Sequence, residues 1–205
     1  MYKLYDFLPS GNSYKVRLLL TQLKIPFERI EMNIVKGETR TPEFLQKNPN
    51  GRIPVLEIQP DRYIAESNAI LFYLSEGTGF FPRDRVQRAQ AMQWLFFEQY
   101  SHEPNIATVR FWITELGKEE ELQEAIAQKR KLGYAALEVM EQHLSKRSFF
   151  VGEQYSIADI ALFAYTHVAP EGGFDLSRFP SITAWIDRVC AQPNYIAITD
   201  TLKEE

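Results

Sequence analysis

The sequence predicts two structural classes in one chain, an α/β module followed by an all-helical domain. Three observations carry this expectation. Strand-like and helical stretches interleave up to about residue 76. The stretch Glu76-Gly77-Thr78-Gly79 to Pro82 then punctuates the pattern. Beyond it, every apolar repeat has helical spacing.

Residues 2–7 alternate as a strand. Ser13 through Lys24 reads as a helix, with Val16, Leu19, Leu20 and Leu23 on one face and Pro26 stopping it. Phe27–Asn33 alternates again and is the second strand. Thr41 is placed as N-cap of a short helix, with Pro42 at its first position. The turn cluster Asn48-Pro49-Asn50-Gly51 leads into a strand over 53–58, and Asp61-Arg62 marks a hairpin turn before Tyr63-Ile64-Ala65. A helix opens at Glu66-Ser67 and runs through Leu74. The order is β-α-β-α-β-β-α.

In the second part, Asp84–Tyr100 is apolar enough (Val86, Ala89, Met92, Trp94, Leu95, Phe96, Phe97) to predict burial on more than one side. Glu119–Ser145 keeps helical spacing, and Ser156–His167 and Ser181–Gln192 are shorter helices. Pro104 reads as a helix breaker. Ser156 and Asp159 form an S-x-x-D capping box, with Tyr155 and Ile160 placed as a hydrophobic staple. Cys190 shares the apolar spacing of Trp185, Ile186 and Val189 and reads as a core thiol. The expected domains are residues 1–78 and 84–205.

With 205 residues, 45% hydrophobic and 24% charged, the chain has ordinary globular composition. A net charge of −4 and the lack of a basic stripe argue against a nucleic-acid partner. No apolar run approaches the roughly 20 residues that cross a bilayer, and the N-terminus has no signal-peptide pattern. A single cysteine allows no internal disulfide and no metal cluster. The expectation is a cytoplasmic protein with no membrane partner and no metal.

Three motifs carry chemistry. Ser10-Gly11-Asn12-Ser13 occupies the strand-to-helix turn where a thioredoxin-like protein carries Cys-x-x-Cys, with hydroxyls and an amide in place of thiols. In "NPNGRIPVLE", Pro54 stands where a strand begins. It is either an ordinary trans proline at an edge or a cis one that turns the Ile53 backbone outward, towards a partner lying alongside. In "AESNAI", Ser67 opens a helix whose N–H groups favour an anion, and Glu66 beside it supplies a negative charge. The pair can hold a carboxylate and an ammonium, or simply cap the helix.

The order and separation of "NPNGRIPVLE", "ESNAILFYL" and "EQYSIADI", with an all-helical second half, resemble the cytosolic glutathione transferase superfamily over essentially the whole chain. The resemblance implies a thioredoxin-like N-terminal domain with a helical-bundle C-terminal domain, a homodimer, and glutathione as co-substrate. It further implies that the first helix's N-terminus faces the glutathione sulfur. A thiol has a pKa of about 8.5, so a hydroxyl donor and a helix N-terminus there would favour the thiolate. Tyrosine-type members carry their donor where this chain has Phe7, with Tyr5 the nearest hydroxyl of that kind. Cysteine-type members are excluded by composition. Ser10 matches the serine-type bacterial members, similar to the theta, zeta and nu classes. Ser10 with Asn12 also fits members with disulfide-reductase activity, whereas Gly11 and Asn12 depart from the zeta isomerase pattern. Asn12 is either a turn residue or a thiol contact, and Ser13 is read as the helix N-cap.

By the same resemblance, the Ile53 backbone beside Pro54 would pair with the cysteinyl residue, and Glu66 and Ser67 would hold the γ-glutamyl end. Lys36 would meet the glycyl carboxylate, with Arg40 and Arg52 as weaker choices. His102, Arg110 and Trp112 would line the pocket for a small-molecule electrophile. The expected activity is thiolate attack on that electrophile. The alternatives are glutathione-dependent disulfide reduction, or a non-catalytic stress or regulatory protein on the same fold.

Overall fold

Alternation along the first strand, β1 (Tyr2–Asp6), assigns its side chains to two layers: Leu4 and Asp6 to one face of the sheet, Tyr5 to the other. The computed structural model describes residues 1–201. It divides into one unit made of Met1–Glu76 with residues 193–201, and a second unit, Gly77–Gln192.

In the first unit, β1 is followed by α1 (Gly11–Gln22), β2 (Phe27–Glu31), α2 (Pro42–Lys47), β3 (Val55–Gln59), β4 (Arg62–Ala65) and α3 (Ser67–Ser75). The sheet order is β2-β1-β3-β4, with β1 and β2 parallel and the other pairs antiparallel. This is the expected β-α-β-α-β-β-α module. On one face Tyr5 and Val55 pack with Phe44 of α2. On the other, Leu4 and Leu56 are buried, as are Val16, Leu19 and Leu20 of α1 and Ile70 and Leu71 of α3. Asp6 turns to α1, where Arg17 Nη1 donates to both carboxylate oxygens at 2.7 Å and Arg29 Nε adds a contact at 3.1 Å. The returning C-terminal segment is tied to the same helix. Tyr14 donates its hydroxyl to the Ile196 carbonyl at 2.7 Å, and Arg17 Nη2 donates to the Ile198 carbonyl at 2.8 Å.

Several expected boundaries move. α1 begins two residues before the expected Ser13, because Ser10 supplies the cap, and it ends at Gln22 ahead of Lys24, which has a positive φ of 55°. β2 stops at Glu31 because Asn33 enters a turn, its N–H bonded to the Glu38 carboxylate. Thr41 does cap α2, accepting from the Phe44 N–H, and Asp61 adopts a positive φ of 59° at the β3–β4 turn.

The second unit contains α4 (Arg85–Phe97), α5 (Glu103–Thr114), α6 (Gln123–Leu144), α7 (Ile157–Thr166) and α8 (Pro180–Cys190). Pro104 does not break the chain's helical path. A π-turn over Glu98–His102 joins α4 to α5, and Pro104 enters in the first turn of α5. In an unbroken α-helix Tyr100 would need the N–H that Pro104 lacks, and the wider turn absorbs that mismatch. The expectation that the Asp84–Tyr100 helix is buried on more than one side is overturned. Ala91, Trp94 and Leu95 are buried, while Val86, Phe96 and Tyr100 are 64%, 66% and 87% exposed.

α7 is buried at every residue and forms the centre of this unit. Its capping box is present, and Asp159 carries a wider load. It accepts from the N–H groups of Ser156 and Phe150 and from the Trp185 indole at 3.0 Å. Burial raises its pKa to about 6. Tyr155 packs its ring on Phe80 and Phe149. Gly133 of α6 permits close approach: a Cβ there would lie 2.6 Å from the Phe174 ring. Glu141 of α6 accepts from the Ser181 and Ile182 N–H groups and so caps α8. Along α8 the buried stripe is Ile182, Trp185 and Val189, and Cys190 falls one position past it, exposed. The core-thiol reading of Cys190 is therefore corrected.

Among the described residues no helix is long and apolar enough to cross a membrane, and no cluster of three or more His, Cys, Asp or Glu could hold a metal ion.

Candidate active site

Ser10, not Ser13, is the N-cap of α1. Its backbone is extended (φ −72°, ψ 120°), and its Oγ accepts from the Ser13 N–H at 3.3 Å. The cap falls here because the loop from Phe7 closes on itself: the Ser10 N–H bonds to the Phe7 carbonyl at 2.8 Å. A hydroxyl has one proton and two lone pairs. Accepting from Ser13 therefore leaves the Ser10 proton available, on a half-buried side chain at the positive end of a helix. Ser13 lies inside the first turn, fully buried, with no hydrogen bond to its Oγ among the described residues.

The N-terminus of α3 is joined to that of α1. The Ser67 hydroxyl donates to Asn12 Oδ1 at 3.2 Å. Lys15 Nζ donates to Asn12 Oδ1 at 2.8 Å and to Ser67 Oγ at 3.2 Å. Lys15 and Ser67 are buried and Asn12 is half-buried. Glu66, exposed and just before α3, adopts φ 70° and ψ 115°. A non-glycine residue in that region is strained, and such strain concentrates at functional sites.

The Ile53–Pro54 bond is cis. Ile53 lies outside β3, whose ladder begins at Val55, and is half-buried against the Tyr5–Phe44–Val55 cluster. Lys36 is exposed in the turn after β2, its own N–H bonded to Asn33 Oδ1 at 2.9 Å. Arg40 is held on the neighbouring loop, donating to the Asn50 carbonyl at 2.8 Å, and Arg52 is exposed.

Tyr5 is accounted for elsewhere. Its hydroxyl donates to the Glu57 carboxylate at 3.1 Å, on the face of the sheet that packs on α2. Burial first, and then that carboxylate, push its pKa well above the usual tyrosine range. A phenol so placed faces away from α1.

In the helical unit the three expected pocket residues are committed to different neighbours. His102 is fully buried, its Nε2 2.8 Å from Thr166 Oγ1. Arg110 Nε is paired with the Glu171 carboxylate at 2.7 Å. Trp112 keeps a half-exposed ring with Lys129 Nζ 5.8 Å from its centroid. His167 stacks on Phe163 at 4.3 Å, and burial lowers its pKa to about 4. His143 bonds to the Phe150 carbonyl and stacks on that ring.

Sequence reasoning missed Lys15. Its one legible signal is the spacing to Asn12, since residues i and i+3 share a helix face. Its burial could not be inferred, because charged residues on helices are mostly solvated.

The chain matches the glutathione S-transferase N-terminal domain over residues 1–76 and the C-terminal domain over 90–193. A glutathione S-transferase structure from Pseudomonas fluorescens is 52% identical, with a TM-score of 0.95 over 97% of this chain and 99% of that one. A glutathione transferase from Burkholderia graminis, solved with two glutathione molecules bound per protein subunit, is 30% identical. Its TM-score is 0.85, over 100% of this chain and 89% of that one. The disulfide-bond oxidoreductase YfcG of Escherichia coli is 29% identical across 91% of this chain and 89% of its own length.

Proposed function

From the premise that the chain belongs to the glutathione S-transferase family, we propose that it binds glutathione on its N-terminal unit and activates the thiol for attack on an electrophilic small molecule. The observation that carries this reading is the Ser10 hydroxyl, which caps α1 as an acceptor and keeps a proton to give. Ser10 acts as a donor and not as a base. The thiol proton leaves to solvent, the thiolate accepts from Ser10 and from the positive end of α1, and its sulfur then forms the new bond while the electrophile's leaving group departs. A hydrogen bond to a charged partner is worth about 1.5–3 kcal/mol. That lowers a thiol from about 8.5 by about one to two units, to near neutrality.

The family resemblance extends this reading to the other groups. The Ile53 backbone beside Pro54, outside the β3 ladder, pairs with the cysteinyl residue. Ser67 and Glu66 hold the γ-glutamyl end, and Lys36 the glycyl carboxylate. Of the three pocket candidates, Trp112 offers an accessible apolar surface to the acceptor, while His102 and Arg110 serve as supports. The protein acts as a homodimer, a reading supported by exposed Phe72 and Tyr73 on one unit and Phe96 and Tyr100 on the other.

A second reading, disulfide reduction by glutathione, is favoured by Asn12 two residues after Ser10 and by the likeness to a disulfide-bond oxidoreductase. Side-by-side turnover of an activated aryl halide and a small disulfide, each with glutathione, separates the two. Aryl conjugate is the expected product. Disulfide turnover without conjugate would replace the first reading by the second, and absence of glutathione binding by calorimetry would remove both.

A further inference from the structure

A lysine with no exposed surface, hydrogen-bonded to two side chains at the mouths of two helices, is a costly thing for a fold to keep. A methionine would fill the same space without the desolvation. The chemistry of the contact also fixes the direction of every proton in it. An ammonium only donates, so the Asn12 atom 2.8 Å from Lys15 Nζ is the amide oxygen. An amide oxygen only accepts, so the Ser67 hydroxyl, 3.2 Å from it, spends its single proton on Asn12. Lys15 donates to the Ser67 oxygen from the other side. In this arrangement Ser67 has no proton for a ligand carboxylate unless it gives up Asn12.

We propose that Lys15 is a positioning residue for the γ-glutamyl carboxylate, an inference that rests on the glutathione reading above. Its ammonium holds Asn12 Oδ1 and Ser67 Oγ together, so the Ser67 proton can swing from Asn12 to the ligand while Asn12 keeps Lys15 as its donor. The same ammonium adds positive charge where the N-terminus of α3 already favours an anion. Lys15 thus acts through Ser67 and Asn12 and need not touch the sulfur.

Calorimetric titration with two probes tests this: glutathione, and the analogue 4-aminobutyryl-cysteinylglycine, which lacks the α-carboxylate. The wild type should prefer glutathione by about 10- to 100-fold, the range for a hydrogen-bonded charge. Lys15→Met should cut that preference by about tenfold or more, with affinity for the analogue within about twofold of wild type. Lys15→Gln, which retains an N–H for Asn12 and guards against a folding defect, should also cut the preference. Combining Lys15→Met with Ser67→Ala should weaken glutathione binding by less than the product of the single effects. A preference left intact in both Lys15 variants, or equal losses for the two probes, would overturn the proposal and leave the glutathione reading standing. Wild type that binds both probes equally would remove the carboxylate from Ser67, and Lys15's role with it. Wild type that binds neither would remove the glutathione reading itself.

Discussion

Replacing Ser10 by alanine removes two interactions with separate readouts. The first is the helix cap, the Ser13 N–H to Ser10 Oγ bond at 3.3 Å. Its loss should cost about 1 kcal/mol of stability, seen as a lower urea midpoint with an unchanged slope. The second is the proton offered to sulfur. Removing a hydrogen bond to a charged partner worth about 1.5–3 kcal/mol should raise the bound thiol by about one to two pKa units. If the wild-type complex titrates near about 6.5, a rise to about 8.5 takes the thiolate at pH 7 from about three-quarters to about 3% of the bound ligand. The assay is ultraviolet titration of the thiolate band of bound glutathione, run on wild type, Ser10→Ala and Tyr5→Phe. Tyr5 is engaged by Glu57 on the other face of the sheet, so Tyr5→Phe should leave the thiol where it was. A thiol pKa unmoved in Ser10→Ala, or raised in Tyr5→Phe, refutes the assignment.

Three further outcomes are expected. Asp159→Ala leaves the N–H groups of Phe150 and Ser156 and the indole of Trp185 without their acceptor, and should cost at least about 3 kcal/mol in urea unfolding. Cys190→Ser should change stability by less than about 0.5 kcal/mol, and wild-type Cys190 should react with a thiol reagent under native conditions, as its exposure requires. For His167 the folded pKa is lowered to about 4, so the unfolded chain binds the extra proton between about pH 4 and pH 6.5. Its contribution is present above the unfolded value and is lost as pH falls. Going from pH 7 to pH 5 should therefore cost the wild type about 2 kcal/mol through this group, a loss that His167→Gln should not show. Asp159, raised to about 6, acts in the opposite sense over the same interval, so the variant is compared with wild type at each pH.

Much of the fold was legible because its devices are local. Thr41 before Pro42, the Ser156–Asp159 box and the Asp61 turn each depend on a few neighbouring residues, and each forms as read. The failures came where a distant partner decides. Ser13 looked like a cap until the Phe7–Ser10 turn brought Ser10 into that place. Val86 and Phe96 looked like core by composition, but the helices packed on α4 cover only its Ala91–Trp94–Leu95 side. At the candidate site, the residue types at Ser10 and Ser67 could be chosen from a pattern. That Asn12 and Ser67, 55 positions apart, share a lysine could not, because the link exists only once α1 and α3 lie side by side.

The return of the chain from Pro193 onward to the N-terminal unit bears on how the protein is made. Domains usually complete themselves in the order in which they leave the ribosome. Here Arg17 and Tyr14 wait for carbonyl groups that belong to Ile198 and Ile196, synthesised only after the whole helical unit. The first unit can collapse early but cannot complete these hydrogen bonds until the segment after α8 has emerged. A nascent chain stalled after α8 would carry a finished helical unit and an unfinished sheet unit. A protease present during synthesis would meet the older half of the molecule as the more vulnerable one.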